Sequence, residues 1–177
     1  MRTSELDAWL PDPVIRTRHR RESAATPAAL WEAASTIRVD ETGGLGRVVR
    51  WRLGGDVPGG TTYRELFARP PFTVLEEGEG FSVSGLAGRI WTLARDYPRL
   101  DGAEAFRTWD EPGTARVLFA HWVEEAPGDR SALVSEARVA PVGAGAGLRL
   151  RALWALVGPF ERLIGGEALS LAVRRAS

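Results

Sequence analysis

Cysteine is absent from this chain of 177 residues, which excludes disulfides, thiolate metal sites and a cysteine nucleophile. Lysine is absent too: all 23 basic residues are arginine, and neither asparagine nor glutamine occurs. A Schiff-base or general-base lysine is therefore ruled out. Such uniform use of arginine is the mark of a GC-rich genome, so arginine abundance says little about nucleic acid. With 23 acidic residues against the 23 arginines, the formal charge is zero and no broad field draws in polyanions. Only His19 and His121 supply imidazole, without the HxxH or HExxH spacing of a zinc site. Long apolar runs are missing as well. The longest, Ala152–Phe160, falls far short of the roughly 20 residues a membrane span needs. The opening MRTSELDAWLPDPV has no stretch of the kind a signal peptide uses. These absences lead us to expect a soluble, cytoplasmic protein with no cofactor, no metal, no transmembrane segment and no nucleic-acid partner.

What is present belongs to an ordinary globular chain, 44% hydrophobic and 26% charged. Its length suits one domain, which buries about 70% of the surface of the unfolded chain. Residues 1–13 read as an N-terminal arm, since Pro11 and Pro13 block regular structure, and residues 14–177 as a single domain. Val14–Ser23 reads as a strand with Ile15, Thr17 and His19 on one face. Arg16, Arg18 and Arg20 lie on the other, where acids of neighbouring strands can pair with them. Thr26-Pro27 is a helix start, a capping hydroxyl followed by proline at the first helical position. Leu45–Leu53 suits a short helix, and Tyr63–Ala68 a helical turn or a loop.

From Pro70 onward the text turns to strands: Phe72–Glu77, Phe81–Leu86, Gly88–Ala94, Thr114–Glu124 and Ser131–Ala140. The last two are joined by the Pro127-Gly128-Asp129 turn. A helix from about Gly147 to Arg175 closes the chain. Ala146, Leu150, Leu153, Val157, Phe160, Ile164, Ala168 and Leu171 recur along it at steps of three or four, the spacing of one helix face. About 28 residues extend roughly 42 Å if continuous. Gly158-Pro159 predicts a bend or a division into two segments. Segregated strands and helices argue for α+β with an antiparallel sheet. Across from the helix, Thr114–Glu124 presents Ala115, Val117, Phe119, His121 and Val123 on one parity. Ser131–Ala140 presents Leu133, Ser135, Ala137 and Val139, with Glu136 and Arg138 on the other.

Three stretches carry a family resemblance: Gly85–Trp91 (GLAGRIW), Ser135–Val139 (SEARV) and Trp154–Phe160 (WALVGPF), along with the opening strand and Thr26–Trp31. With them the chain resembles the helix-grip superfamily of START lipid-transfer domains, polyketide cyclases and pollen-allergen-type proteins (SRPBCC), over about residues 14–175. The resemblance implies an antiparallel sheet of about seven strands wrapped around a long, kinked C-terminal helix, with an apolar cavity between them. It also implies a hydrophobic small molecule or lipid as the partner, bound there. The alternative is a polyketide cyclase- or dehydratase-like enzyme acting on an aromatic or polyketide-like substrate. A homodimer through a sheet edge is a third reading.

On this frame the expected ligand-binding residues are Arg89, Trp91, Phe119, His121, Leu133, Ser135, Leu153, Val157, Phe160 and Ile164. His121 sits on the apolar parity of its strand, where an imidazole serves as acid, base or ligand anchor, and it is the catalytic candidate. Trp122 has the opposite parity, so only one of the two faces inward. Trp91, Trp122 and Trp154 suit an aromatic wall. Arg89 alternates with Trp91, so an inward Trp91 brings it along, where it would hold an anionic group or a salt bridge. Carboxylates such as Glu76, Glu77, Glu79, Asp110 and Glu111 lie beside turns and read as solvated charges.

Overall fold

In a computed structural model, which describes residues 3–53, 57–92 and 97–177 and leaves out the side chains of residues 4, 157, 160 and 162–164, five antiparallel strands form one sheet. They are β1 (Ile15–Ser23), β2 (Thr73–Gly78), β3 (Phe81–Gly88), β4 (Thr114–Ala126) and β5 (Arg130–Val142), in the order β1-β5-β4-β3-β2. Helices α1 (Pro27–Ser35), α2 (Gly44–Leu53) and α3 (Tyr63–Phe67) fill the span between β1 and β2. Helix α4 (Ala103–Arg107) precedes β4, and α5 (Ala146–Ile164) and α6 (Glu167–Ala176) end the chain.

Local chemistry accounts for several of these boundaries. Thr26 Oγ1 accepts the amide of Ala29 at 3.3 Å, and Pro27 opens α1. Thr62 and Glu65 cap α3 reciprocally, since the Thr62 hydroxyl accepts the Glu65 amide at 3.2 Å and Glu65 Oε2 accepts the Thr62 amide at 2.8 Å. Gly128 and Asp129 take positive φ values of 74° and 54° between β4 and β5, the left-handed geometry a tight turn requires.

Three expectations are corrected. Among the described residues the sheet has five strands rather than about seven. Gly88–Ala94 is not a strand where it is described: β3 ends at Gly88, whose φ of 144° breaks the ladder. Residues 89–92 then turn back, with Ile90 N donating to Gly88 O and Thr92 N to Arg89 O. Leu93 and Ala94 lie outside the described residues. The final helix is interrupted, but not at Gly158-Pro159. Helix α5 runs through Pro159 to Ile164, and the break falls at Gly165-Gly166, ahead of α6. Proline lacks an amide donor, yet the rest of the turn carries the helix past it, while two successive glycines at a helix end cost it most of its propensity.

The middle of the sheet is buried on both faces. On the first, Ile15, Leu86, Val117, Leu133 and Val139 join Leu30, Leu66, Leu150 and Leu169 of the helices in one cluster. On the second, Val83, Leu118, Ala120, Trp122 and Val134 pack under Leu6, Trp9 and Leu10 of the N-terminal segment and Phe106 of α4. Buried charge anchors that segment. Arg138, 1% exposed, donates to Glu136 (2.7 Å), Asp7 (2.6 Å) and the carbonyls of Thr3 (2.7 Å) and Leu10 (3.0 Å). Glu136 also accepts Arg16 Nε at 2.8 Å, so every charge on this network has a partner. The other two arginines on this face of β1 pair as their parity predicts: Arg20 with Glu124 at 2.8 Å and Arg18 with the same carboxylate at 3.5 Å.

Candidate ligand cavity

Between the first face of the sheet and the helices lies a cavity of about 730 Å³ with a predominantly apolar lining. This is within the range of small-molecule sites, about 300–1,000 Å³. The pleat organises its sheet wall into cross-strand rows. Ile15, Val139, Val117 and Leu86 stand opposite one another across β1, β5, β4 and β3, an apolar row. Next come Thr17, Ala137, Phe119 and Ser84, and after them His19, Ser135, His121 and Ser82. Small residues at 135 and 137 leave the room that bulky ones would fill.

The helices supply the remaining walls. Helix α5 contributes Leu150, Leu153, Trp154 and Leu156, and α2 and α3 contribute Val49, Trp51, Leu53, Tyr63, Leu66 and Phe67. Trp51 and Leu156 line the space and yet are 64% and 70% exposed, which puts them at its mouth. Phe67 centres an aromatic group, with ring centroids 5.0 Å from Phe72, 5.1 Å from Phe119 and 5.1 Å from His121.

Seven of the ten expected site residues have described side chains. Trp91, Phe119, His121, Leu133, Ser135 and Leu153 line the cavity. Arg89 does not: it is exposed, because the chain turns at residues 89–92 and the strand alternation that tied it to Trp91 never forms. The side chains of Val157, Phe160 and Ile164 lie outside the described residues. Trp154 joins Trp91 on the wall. Trp122 faces the second side of the sheet, fully buried, with Nε1 donating to Glu124 at 3.3 Å. Glu76 and Glu77 are engaged by Trp9 Nε1 at 3.2 Å and by Arg64 at 2.6 Å.

The polar groups of the wall differ in character. Burial pushes the His121 imidazole down to about 4, so it is neutral at physiological pH, one nitrogen a donor and the other an acceptor. Burial pushes the Tyr63 phenol up to about 12, even though it shares a 2.6 Å hydrogen bond with Thr42. It stays protonated. His19 Nε2 lies 2.7 Å from Glu161 Oε1, joining β1 to α5 at the cavity wall. A carboxylate so placed makes Nε2 the protonated nitrogen and leaves Nδ1 free to accept. Gly165 closes over this pair: a Cβ there would overlap His19 Nε2 and stand 2.6 Å from Glu161 Oε1. Ser35 Oγ, also on the wall, is buried without a hydrogen-bond partner among the described residues.

Sequence reading missed the His19–Glu161 pair, the contribution of α2 and α3, and Ser82. The strand parity of His19, shared with Ile15 and Thr17, was a usable signal. Pairing of His19 with a residue 142 positions away was not.

An antiparallel sheet, a C-terminal helix across one face and a cavity between them are the arrangement that the sequence resemblance implies. The fold is α+β, one antiparallel five-stranded sheet with the C-terminal helices across one face. Solved structures similar to this chain include the Zhui aromatase/cyclase of Streptomyces sp. R1128, 19% identical with a TM-score of 0.40, matched over 92% of this chain and 96% of that one. A hypothetical protein of Helicobacter pylori is 9% identical with a TM-score of 0.42, over 97% and 94%. Ara h 8.0201 is 11% identical with a TM-score of 0.30, over 92% and 97%. No protein-family model matches the chain, and no curated protein does. Overlaps of this size carry neither a ligand nor a reaction over to this chain.

Proposed function

We propose that the chain binds a hydrophobic small molecule or lipid between the sheet and the C-terminal helices. One observation carries this reading: a cavity of about 730 Å³ walled by Ile15, Val117, Phe119, Leu133 and Leu153 and reached past the exposed Trp51 and Leu156. Burying apolar surface returns about 25 cal/mol per Å², so a ligand that covers these side chains gains several kcal/mol from contact alone. Trp91 and Trp154 offer flat faces for a ring system. Native mass spectrometry of gently purified protein is the test. A retained apolar adduct supports the reading, and an empty protein that takes up nothing from lipid extracts refutes it. No helix among the described residues is long and apolar enough to cross a membrane. A cysteine-free chain also suits the reducing cytoplasm.

A second reading, an enzyme of the cyclase or dehydratase type, draws support from the His19–Glu161 pair at 2.7 Å and the neutral His121 on the same wall. Glu161 orients His19 so that Nδ1 accepts a proton from a bound carbon acid, leaving the substrate as its enolate and the new imidazolium ion-paired with the Glu161 carboxylate. Once a substrate is found, His19→Gln and Glu161→Gln should each lower kcat by about 10²-fold or more. Unchanged turnover in both removes the reading.

A further inference from the structure

The row His19, Ser135, His121 and Ser82 crosses β1, β5, β4 and β3 at directly opposed positions, and all four residues line the cavity. Neighbouring members are one strand spacing apart, about 4.8 Å. Only His19 is engaged, by Glu161. Ser135, His121 and Ser82 make no side-chain hydrogen bond with any described residue, although each stands directly opposite the next. A fold that needed these groups for its own stability would pair them, because an unmet polar group in an apolar setting costs on the order of 1–3 kcal/mol. The next row, Thr17, Ala137, Phe119 and Ser84, puts only Thr17 of its two hydroxyls on the cavity wall, and the row beyond it, Ile15, Val139, Val117 and Leu86, is wholly apolar, so the polarity of the sheet wall is concentrated in one line.

Each of the three unpaired groups both donates and accepts, and none carries a cation's charge. That chemistry matches neutral keto or hydroxyl oxygens. It suits a carboxylate or phosphate poorly, because such anions call for arginine or a cluster of donors. It also gives nothing to an unsubstituted acyl chain, which would lie across the three groups and strip their water without replacing its hydrogen bonds.

We propose that Ser135, His121 and Ser82 determine specificity, selecting an elongated, uncharged apolar ligand whose oxygen substituents are strung along one edge and whose long axis runs across the strands. The proposal rests on the cavity being a ligand site. It goes further in separating two kinds of hydrophobic ligand that the cavity volume alone does not distinguish.

The test is displacement of the neutral fluorophore N-phenylnaphthylamine from the intact protein by three competitors: androstanedione, androstane and palmitic acid. The dione and the parent hydrocarbon share one rigid body. The carbonyls of the dione lie at its two ends, close to two strand spacings apart, or about 10 Å. The dione should displace the fluorophore at concentrations about ten-fold or more below those of androstane or palmitic acid. Ser135→Ala and Ser82→Ala should each narrow the dione-to-androstane ratio about three-fold, with androstane binding unchanged. Using the ratio as readout cancels any general loosening of the variants. Equal displacement by dione and androstane, or ratios untouched by both variants, overturns the role of the row and leaves the cavity as a binding site. Failure of the fluorophore and of all three competitors to bind overturns both readings together.

Discussion

Arg138 and Glu136, two residues apart on β5, meet on the second face of the sheet with Nε and Oε1 at 2.7 Å and both side chains withdrawn from solvent. Through Arg138 the pair holds the carbonyls of Thr3 and Leu10, so the N-terminal segment is tied down by a buried cation. Without Arg138, Glu136 keeps Arg16, but the carbonyls of Thr3 and Leu10 lose their donor. Arg138→Leu should therefore lower stability by about 2–4 kcal/mol, read by chemical denaturation. Hydrogen exchange should show the amides of Trp9 and Leu10, both bonded to Leu6 O, losing protection before the rest of the chain. An unchanged unfolding midpoint would argue that the segment is held by its apolar contacts alone.

Acid should act on the fold through His121. Its imidazole is lowered by burial from 6.5 to about 4 in the folded chain. Between those values the unfolded chain takes up a proton that the folded chain refuses. Stability is full above about pH 6.5 and drains away as the pH falls towards 4. The loss attributable to this group is on the order of 2 kcal/mol by pH 4, because the cavity gives the ring some access to water. His121→Phe removes the group, so denaturation curves between pH 7 and 4.5 should be flatter for the variant than for the parent. Parallel curves would refute the assignment.

Gly165 is predicted to accept a side chain only at a cost. Its φ of −59° suits any residue, so the objection is one of space: a Cβ collides with the His19–Glu161 pair. Gly165→Ala should cost about 1–3 kcal/mol in thermal unfolding, even though alanine is the better helix former. Gly43, with nothing near its Cβ position, is the control and should accept alanine with little change.

Filling the cavity should separate binding from folding. Ala137 faces the space beside Phe119 on the sheet wall. Ala137→Phe should keep the far-ultraviolet circular dichroism of the parent while reducing uptake of an apolar fluorophore about ten-fold or more. Full uptake by this variant would place the bound probe somewhere other than between sheet and helices.

Much of this arrangement was readable before any coordinate. Strand parity alone put Ile15, Thr17 and His19 on one face and the arginines on the other, and it separated His121 from Trp122. The Thr26-Pro27 start and the segregation of strands and helices needed no tertiary information either. What failed depended on contacts remote in sequence. Continuing β3 beyond Gly88 assumed that alternating text pairs with something, but the chain turns there and Arg89 swings out to solvent. Pro159 looked like the weak point of the final helix, while the pair of glycines six residues later is where it stops. His19 gained its importance from Glu161 on another element, and the polar row exists only because four strands stand in one register.

The cover that residues 3–10 and α4 lay over the sheet alters how its middle tolerates change. A strand with one wet face leaves every second position free to drift. In β4, Leu118, Ala120 and Trp122 are fully buried on one side while Val117, Phe119 and His121 wall the cavity on the other. Consecutive positions there answer to two different constraints, dense packing and ligand shape. A saturation screen for folding should therefore spare substitutions at 119 and 121 that it rejects at 118 and 122, while a screen for binding should reject them at all four.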